Sequence, residues 1–124
     1  MPARTDTTPL LVQDGRAVRL TRVPWDERRF DEDWLQGLLF EHPPLIPVDY
    51  IEPVFSPLIP VARELATPGG AIDIFYVSPE GYPSLVETKL WRNPEARREA
   101  VAQAIHYATQ LSSWSYDELD SCVA

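Results

Sequence analysis

The sequence predicts an α/β domain in which short strands are gathered between amphipathic helices. Three observations predict it. Ala71 to Val77 and Ser84 to Leu90 are β-branched and aromatic-rich runs, and the turn chemistry of Ser78-Pro79-Glu80-Gly81-Tyr82-Pro83 between them makes them antiparallel neighbours. Asp31 stands as an N-cap before a run of apolar residues. Asn93-Pro94-Glu95 is the clearest helix start in the chain: a cap, a proline at the first position and an acid in the first turn.

A chain of 124 residues suits one domain with a core of its own. Its 13 prolines imply long, rigid connections between elements. The single cysteine, Cys122, forms no intramolecular disulfide, and no Cys/His spacing of the metal-binding kind occurs. A reducing, cytosolic setting is therefore expected. An apolar signal region and a long apolar run are both missing, so neither secretion nor membrane spanning is expected. The net charge of −8 argues against a broad nucleic-acid-binding surface, because phosphate contacts need Lys and Arg. The charge is nevertheless segregated. Arg92, Arg97 and Arg98 cluster late, while Asp26, Glu27, Asp31, Glu32 and Asp33 cluster early. Solvated surface is the simplest reading of both.

Taken in order, residues 1–29 form an N-terminal extension. Within it Leu10 to Val12 and Ala17 to Leu20 flank Asp14-Gly15, the signature of a type I′ hairpin. The core follows over residues 30–114. Its first helix has Asp31 as cap, Phe30 and Leu35 as a hydrophobic staple, and Pro43-Pro44 as its stop. Glu32, Leu35 and Leu39 are spaced i, i+3, i+7, so Glu32 heads the stripe that faces the core. Leu45 to Pro57 reads as a proline-punctuated loop. Leu58 to Leu65 reads as a strand that Pro60 confines to an edge or a bulge. Thr67-Pro68-Gly69-Gly70 is a turn whose small residues permit a close approach. In the helix after Asn93, Val101, Ile105, Ala108 and Leu111 form the apolar stripe, and Gln103 and Tyr107 are i, i+4 neighbours on an adjacent one. Ser115-Tyr116-Asp117-Glu118 is a capping box opening a further helix over residues 115–124, with little chain after it.

The anomaly lies in the paired strands. Asp73, Glu87 and Lys89 are charged residues inside apolar runs, and strand alternation puts Glu87 and Lys89 on one face. If Asp73 shares that face, two carboxylates and an ammonium converge. Carboxylates held together repel, and a bound cation is the usual reason to hold them so. The simpler reading is a solvated cross-strand ion pair.

The marked residues also come in an order: Glu32 on a helix, Asp73 on a strand, Glu87-Thr88-Lys89 on the next, and Gln103-xxx-Tyr107 on the following helix. In this the sequence resembles the PD-(D/E)XK (restriction-endonuclease-like) nuclease superfamily, in the branch with a Gln-xxx-Tyr motif that includes RecB-like and NucS-like nucleases. The resemblance covers about Phe30 to Leu111. Ile72 departs from it, standing where the namesake proline would precede the aspartate, and the superfamily's final strand is missing after Leu111. The resemblance implies a core of order α-β-β-β-α with a mixed central sheet. It implies Asp73, Glu87 and the Thr88 carbonyl as ligands of Mg²⁺ or Mn²⁺, with Glu32 in support. It further implies Lys89 as the group that activates water and offsets phosphate charge, and Gln103 and Tyr107 as positioning residues. Arg92, Arg97 and Arg98 are then the candidate nucleic-acid contacts.

The expected function is a metal-dependent nuclease acting on DNA ahead of RNA, as one module of a larger protein or with a second copy as partner. The alternative is a catalytically inactive nuclease fold kept for binding or regulation. A third reading, an α/β protein whose Glu-x-Lys is surface charge, predicts no shared pocket for Asp73, Glu87, Lys89 and Gln103.

Overall fold

The computed structural model describes residues 8–26, 28–90 and 96–123, the side chains of 96 and 97 excepted. The fold is mixed α/β: a hairpin sheet, a three-stranded antiparallel sheet, and helices. The hairpin consists of β1 (Leu10–Gln13) and β2 (Arg16–Arg19), paired in register Leu10↔Arg19 to Gln13↔Arg16. Asp14 and Gly15 turn the chain with φ of 52° and 73°, the two positive values that a type I′ turn requires.

Helix α1 (Glu32–Glu41) starts where Asp31 accepts a hydrogen bond from the Trp34 N–H at 2.8 Å. The expected Phe30–Leu35 staple takes another form. Phe30 stacks edge-on against Trp34 with ring centroids 4.7 Å apart, and against Trp25 at 5.6 Å. Residues 43–57 are not a plain loop. Two single 3-10 turns flank a one-turn helix α2 (Val48–Ile51), each turn opened by a proline.

The central sheet has the order β3 (Ile59–Thr67), β4 (Gly70–Val77), β5 (Pro83–Val86). Every pairing is antiparallel, where a mixed sheet was expected. Short turns connect β3 to β4 and β4 to β5, and such links can only reverse the chain. Pro60 lies at a shift of register between Pro60 and Ala62, the bulge that a proline on an edge strand favours. Strand β5 ends at Val86, four residues before the expected Leu90.

Two apolar clusters flank the sheet. Ile74, Tyr76 and Leu58 pack with Leu39 and Phe40 of α1 and with Ile46 and Val48. The Tyr76 hydroxyl donates to the Leu39 carbonyl at 2.7 Å, which ties the helix to the central strand. Phe75, Leu65 and Ile72 form the other cluster with Tyr107 of α3 (Ala96–Leu111) and with Leu119 and Val123 of α4 (Tyr116–Val123). The N-cap expected at Asn93 lies outside the described residues. Helix α4, expected as an interrupted element, instead presses its apolar residues onto the sheet. Its capping box is formed: the Ser115 N–H donates to Glu118, and the Glu118 N–H to the Ser115 hydroxyl at 3.2 Å.

Helix α3 is turned relative to expectation. Val101 and Ile105 are 55% and 63% exposed, whereas Tyr107 is 6% exposed. The deciding contact is at the β3–β4 turn. A Cβ on Gly69 would overlap the His106 ring, and one on Gly70 would sit 2.9 Å from the Tyr107 hydroxyl. The Gly69 N–H also donates to Gln110 Oε1 at 3.1 Å. Paired glycines thus let the Tyr107 face of α3 come down onto the turn, which leaves Val101 and Ile105 outside. Gly70 has φ of 128°, a region that side chains disfavour. Gly70→Ala is expected to lower stability by about 1–3 kcal/mol, read from a urea titration. Gly15→Ala, also at positive φ but with open space around it, should cost less because it adds backbone strain without a clash.

Candidate functional site

Asp73 lies in the middle of β4, between Ile72 and Ile74, which pair with Leu65 and Arg63 of β3. On its other side the β4–β5 ladder stops at Ile74↔Val86. Side chains then replace the ladder. The Asp73 N–H donates to Glu87 Oε1 at 3.3 Å. The Thr88 N–H and hydroxyl both donate to Asp73 Oδ2, at 2.8 and 2.9 Å. Thr88 is 3% exposed, so these bonds satisfy polar groups that water does not reach. Strand β5 is short because Asp73 captures the next residues with its carboxylate.

This arrangement brings Asp73 and Glu87 together. These bonds use Asp73 Oδ2 and Glu87 Oε1, and the second oxygen of each carboxylate takes no part in them. Burial and the adjacent Asp73 charge push the Glu87 carboxyl from its ordinary 4.5 up to about 7, and the Lys89 ammonium pulls it only slightly back. Tyr107 is raised too, by burial first and then by the charges of Glu87 and Asp73, with Lys89 opposing. Lys89 and Tyr107 are therefore both within electrostatic reach of the carboxylates. Gln103, one turn before Tyr107 on α3, has a side-chain oxygen closed off from solvent that accepts no hydrogen bond among the described residues. Glu32 reaches the same segment from α1, accepting from the Leu90 N–H at 3.2 Å, although its own side chain is exposed.

The arginines are placed differently. Arg92 lies outside the described residues, as does the side chain of Arg97. Arg98 is on the exposed first turn of α3.

A second polar chain escapes sequence reasoning. Gln36, only 4% exposed, donates to Glu64 at 2.8 Å and accepts from Arg63 Nε at 2.9 Å. Arg63 in turn pairs with Asp33 at 3.0 Å. Glu64 holds a positive φ of 50° on β3, opposite Asp73 in the register between Arg63↔Ile74 and Leu65↔Ile72. Its charge also bears on Tyr107. One signal for Gln36 was present, since it follows Glu32 by four residues and shares its helix face. Glu64 offered none, because its place depends on a register set at the bulge.

Chemically, the pair of carboxylates, the Thr88 carbonyl and an ammonium suit a hard cation that prefers oxygen ligands. Among the described residues no three His, Cys, Asp or Glu side chains gather as a complete protein-only metal site. Mg²⁺ asks for less: one or two carboxylates, with water and substrate phosphate completing its shell.

The raised Glu87 carboxyl has a consequence for stability. Between about 4.5 and about 7 the folded chain holds a proton that the unfolded chain releases, so stability falls as pH rises through that window. Denaturant titrations at pH 5 and pH 7 should show this fall, and Glu87→Gln should flatten it. In comparisons with known proteins the chain matches no family model, no curated protein and no solved structure.

Proposed function

We propose that the chain is a metal-dependent nuclease that hydrolyses phosphodiester bonds in DNA ahead of RNA. One observation carries the reading: Asp73 and Glu87 share a half-buried place with too little positive charge around them, and Glu87 rises to about 7 as a result. A group so shifted between a charge partner and burial is a functional-site candidate. Deprotonated, the pair offers oxygen donors to a divalent cation.

When bound there, Mg²⁺ would acidify a water and neutralise charge on the scissile phosphate. The chain's own residues supply the rest. Thr88 fixes one oxygen of Asp73, which leaves the other free to act as a ligand. Lys89 offsets charge that develops on phosphate oxygens. The unsatisfied Gln103 oxygen can accept from a water or a substrate group, and Tyr107 is held beside it against Gly70. Glu32 steadies the 87–90 segment through the Leu90 N–H.

Two variants separate metal binding from turnover. Glu87→Gln weakens a charged ligand, so Mn²⁺ affinity and cleavage should fall together. Lys89→Met leaves both carboxylates, so Mn²⁺ binding should survive or tighten while cleavage drops by about 100-fold or more. Calorimetric titration beside plasmid and single-strand cleavage assays reads both. Wild-type cleavage by Lys89→Met would remove the role given to Lys89. Wild-type protein that binds nucleic acid but neither Mn²⁺ nor Mg²⁺ would point to an inactive binding module instead.

A further inference from the structure

The hairpin of β1 and β2 is exposed at every residue of both strands and forms a sheet separate from the central one. A two-stranded ribbon alone in water is marginally stable at best. Its register places Leu10 opposite Arg19 and Val12 opposite Ala17, so these residues share one face: three apolar groups with an arginine at one end. Leu10 and Val12 are both more than half exposed. The segment is also basic in an acidic chain, with Arg16, Arg19 and Arg22 against the single acid Asp14.

A surface of complementary character lies at the far end of the central sheet. Between α4 and the sheet runs a groove of about 330 Å³, floored by Val61, Phe75 and Val77 and walled by Leu119 and Val123, with Asp120 at its rim. Helix α4 carries Asp117, Glu118 and Asp120 and no basic residue. We propose that this groove takes the hairpin of a second copy of the chain, with the Leu10–Val12–Ala17 face on the apolar floor and Arg19 toward Asp120. Two features select this occupant. The ribbon lacks a packing partner for a face whose apolar width suits the groove, and the charges on ribbon and groove are opposite. Reciprocal exchange about a two-fold axis makes the contact twice, which lets a small surface hold a dimer. The inference does not depend on the nuclease reading.

Light scattering and sedimentation of the full chain provide the test. Wild type is expected to dimerise at about 10–100 μM, the weak end expected of a small interface. Val12→Asp should weaken the dimer about tenfold or more, whereas Gln13→Asp, on the opposite face of the ribbon, should not. Arg19→Asp and Asp120→Arg should each weaken it about tenfold by placing like charges together. Mixed in equal amounts, those two variants should recover wild-type association, because both contacts are again between opposite charges. Circular dichroism melts that match wild type exclude unfolding as the cause. A wild-type chain that stays monomeric to ~200 μM overturns the proposal, as does a dimer that Val12→Asp leaves intact. Failure of the mixture to recover association overturns the Arg19–Asp120 pairing and the docking pose with it.

Discussion

The hydrogen bonds between Asp73 and the Glu87–Thr88 segment hold together what the backbone ladder does not. Beyond Val86 the chain leaves the sheet, and two Thr88 donors on one Asp73 oxygen keep it alongside β4. Charge-assisted bonds of this kind are about twice as strong as neutral ones, so a carboxylate can stand in for a strand pair. The substitution also determines where the other groups lie. Glu87 is brought beside Asp73, Lys89 follows two residues later, and the Leu90 N–H turns to Glu32. The local break in β-structure and the charge cluster therefore have one cause.

The surroundings are built to keep that cluster in place. Tyr76 fastens α1 to one face of the sheet through the Leu39 carbonyl, and the Gln36–Arg63–Glu64 chain fastens the same helix to β3. On the other face Gly69 and Gly70 admit His106, Gln110 and Tyr107, and this brings Gln103 and Tyr107 to the carboxylates. Two helices and three strands thus converge on a place that burial makes unfavourable for two negative charges. The raised Glu87 carboxyl is the electrostatic expression of that conflict. A site assembled at such a cost is better explained by a cation than by packing, since an apolar pair would have filled the space more stably.

Much of this was legible in the residues. Asp14-Gly15, the Asp31 cap and the Ser115–Glu118 box are local signals with local causes, and all three form as expected. The antiparallel β4–β5 pair follows from its turn residues. The errors came where tertiary contacts decide. Leu90 looked like a strand residue by composition, but Asp73 ends the ladder earlier. Val101 and Ile105 made the more apolar stripe of α3, yet the space opened by two glycines selected the Tyr107 face. The proximity of Asp73 to Glu87 was a matter of strand faces and could be anticipated. The part played by Glu64 could not, because a register shift at Pro60 is invisible in local pattern.

The central claim is that Asp73 and Glu87 together hold a divalent cation. A crystal soaked in Mn²⁺ at pH 8, with anomalous scattering collected at the manganese edge, tests it most directly. The account predicts one strong peak in contact with a carboxylate oxygen of both residues, lost in Glu87→Gln. An anomalous map with no peak there, or a peak bound by neither carboxylate, would contradict it.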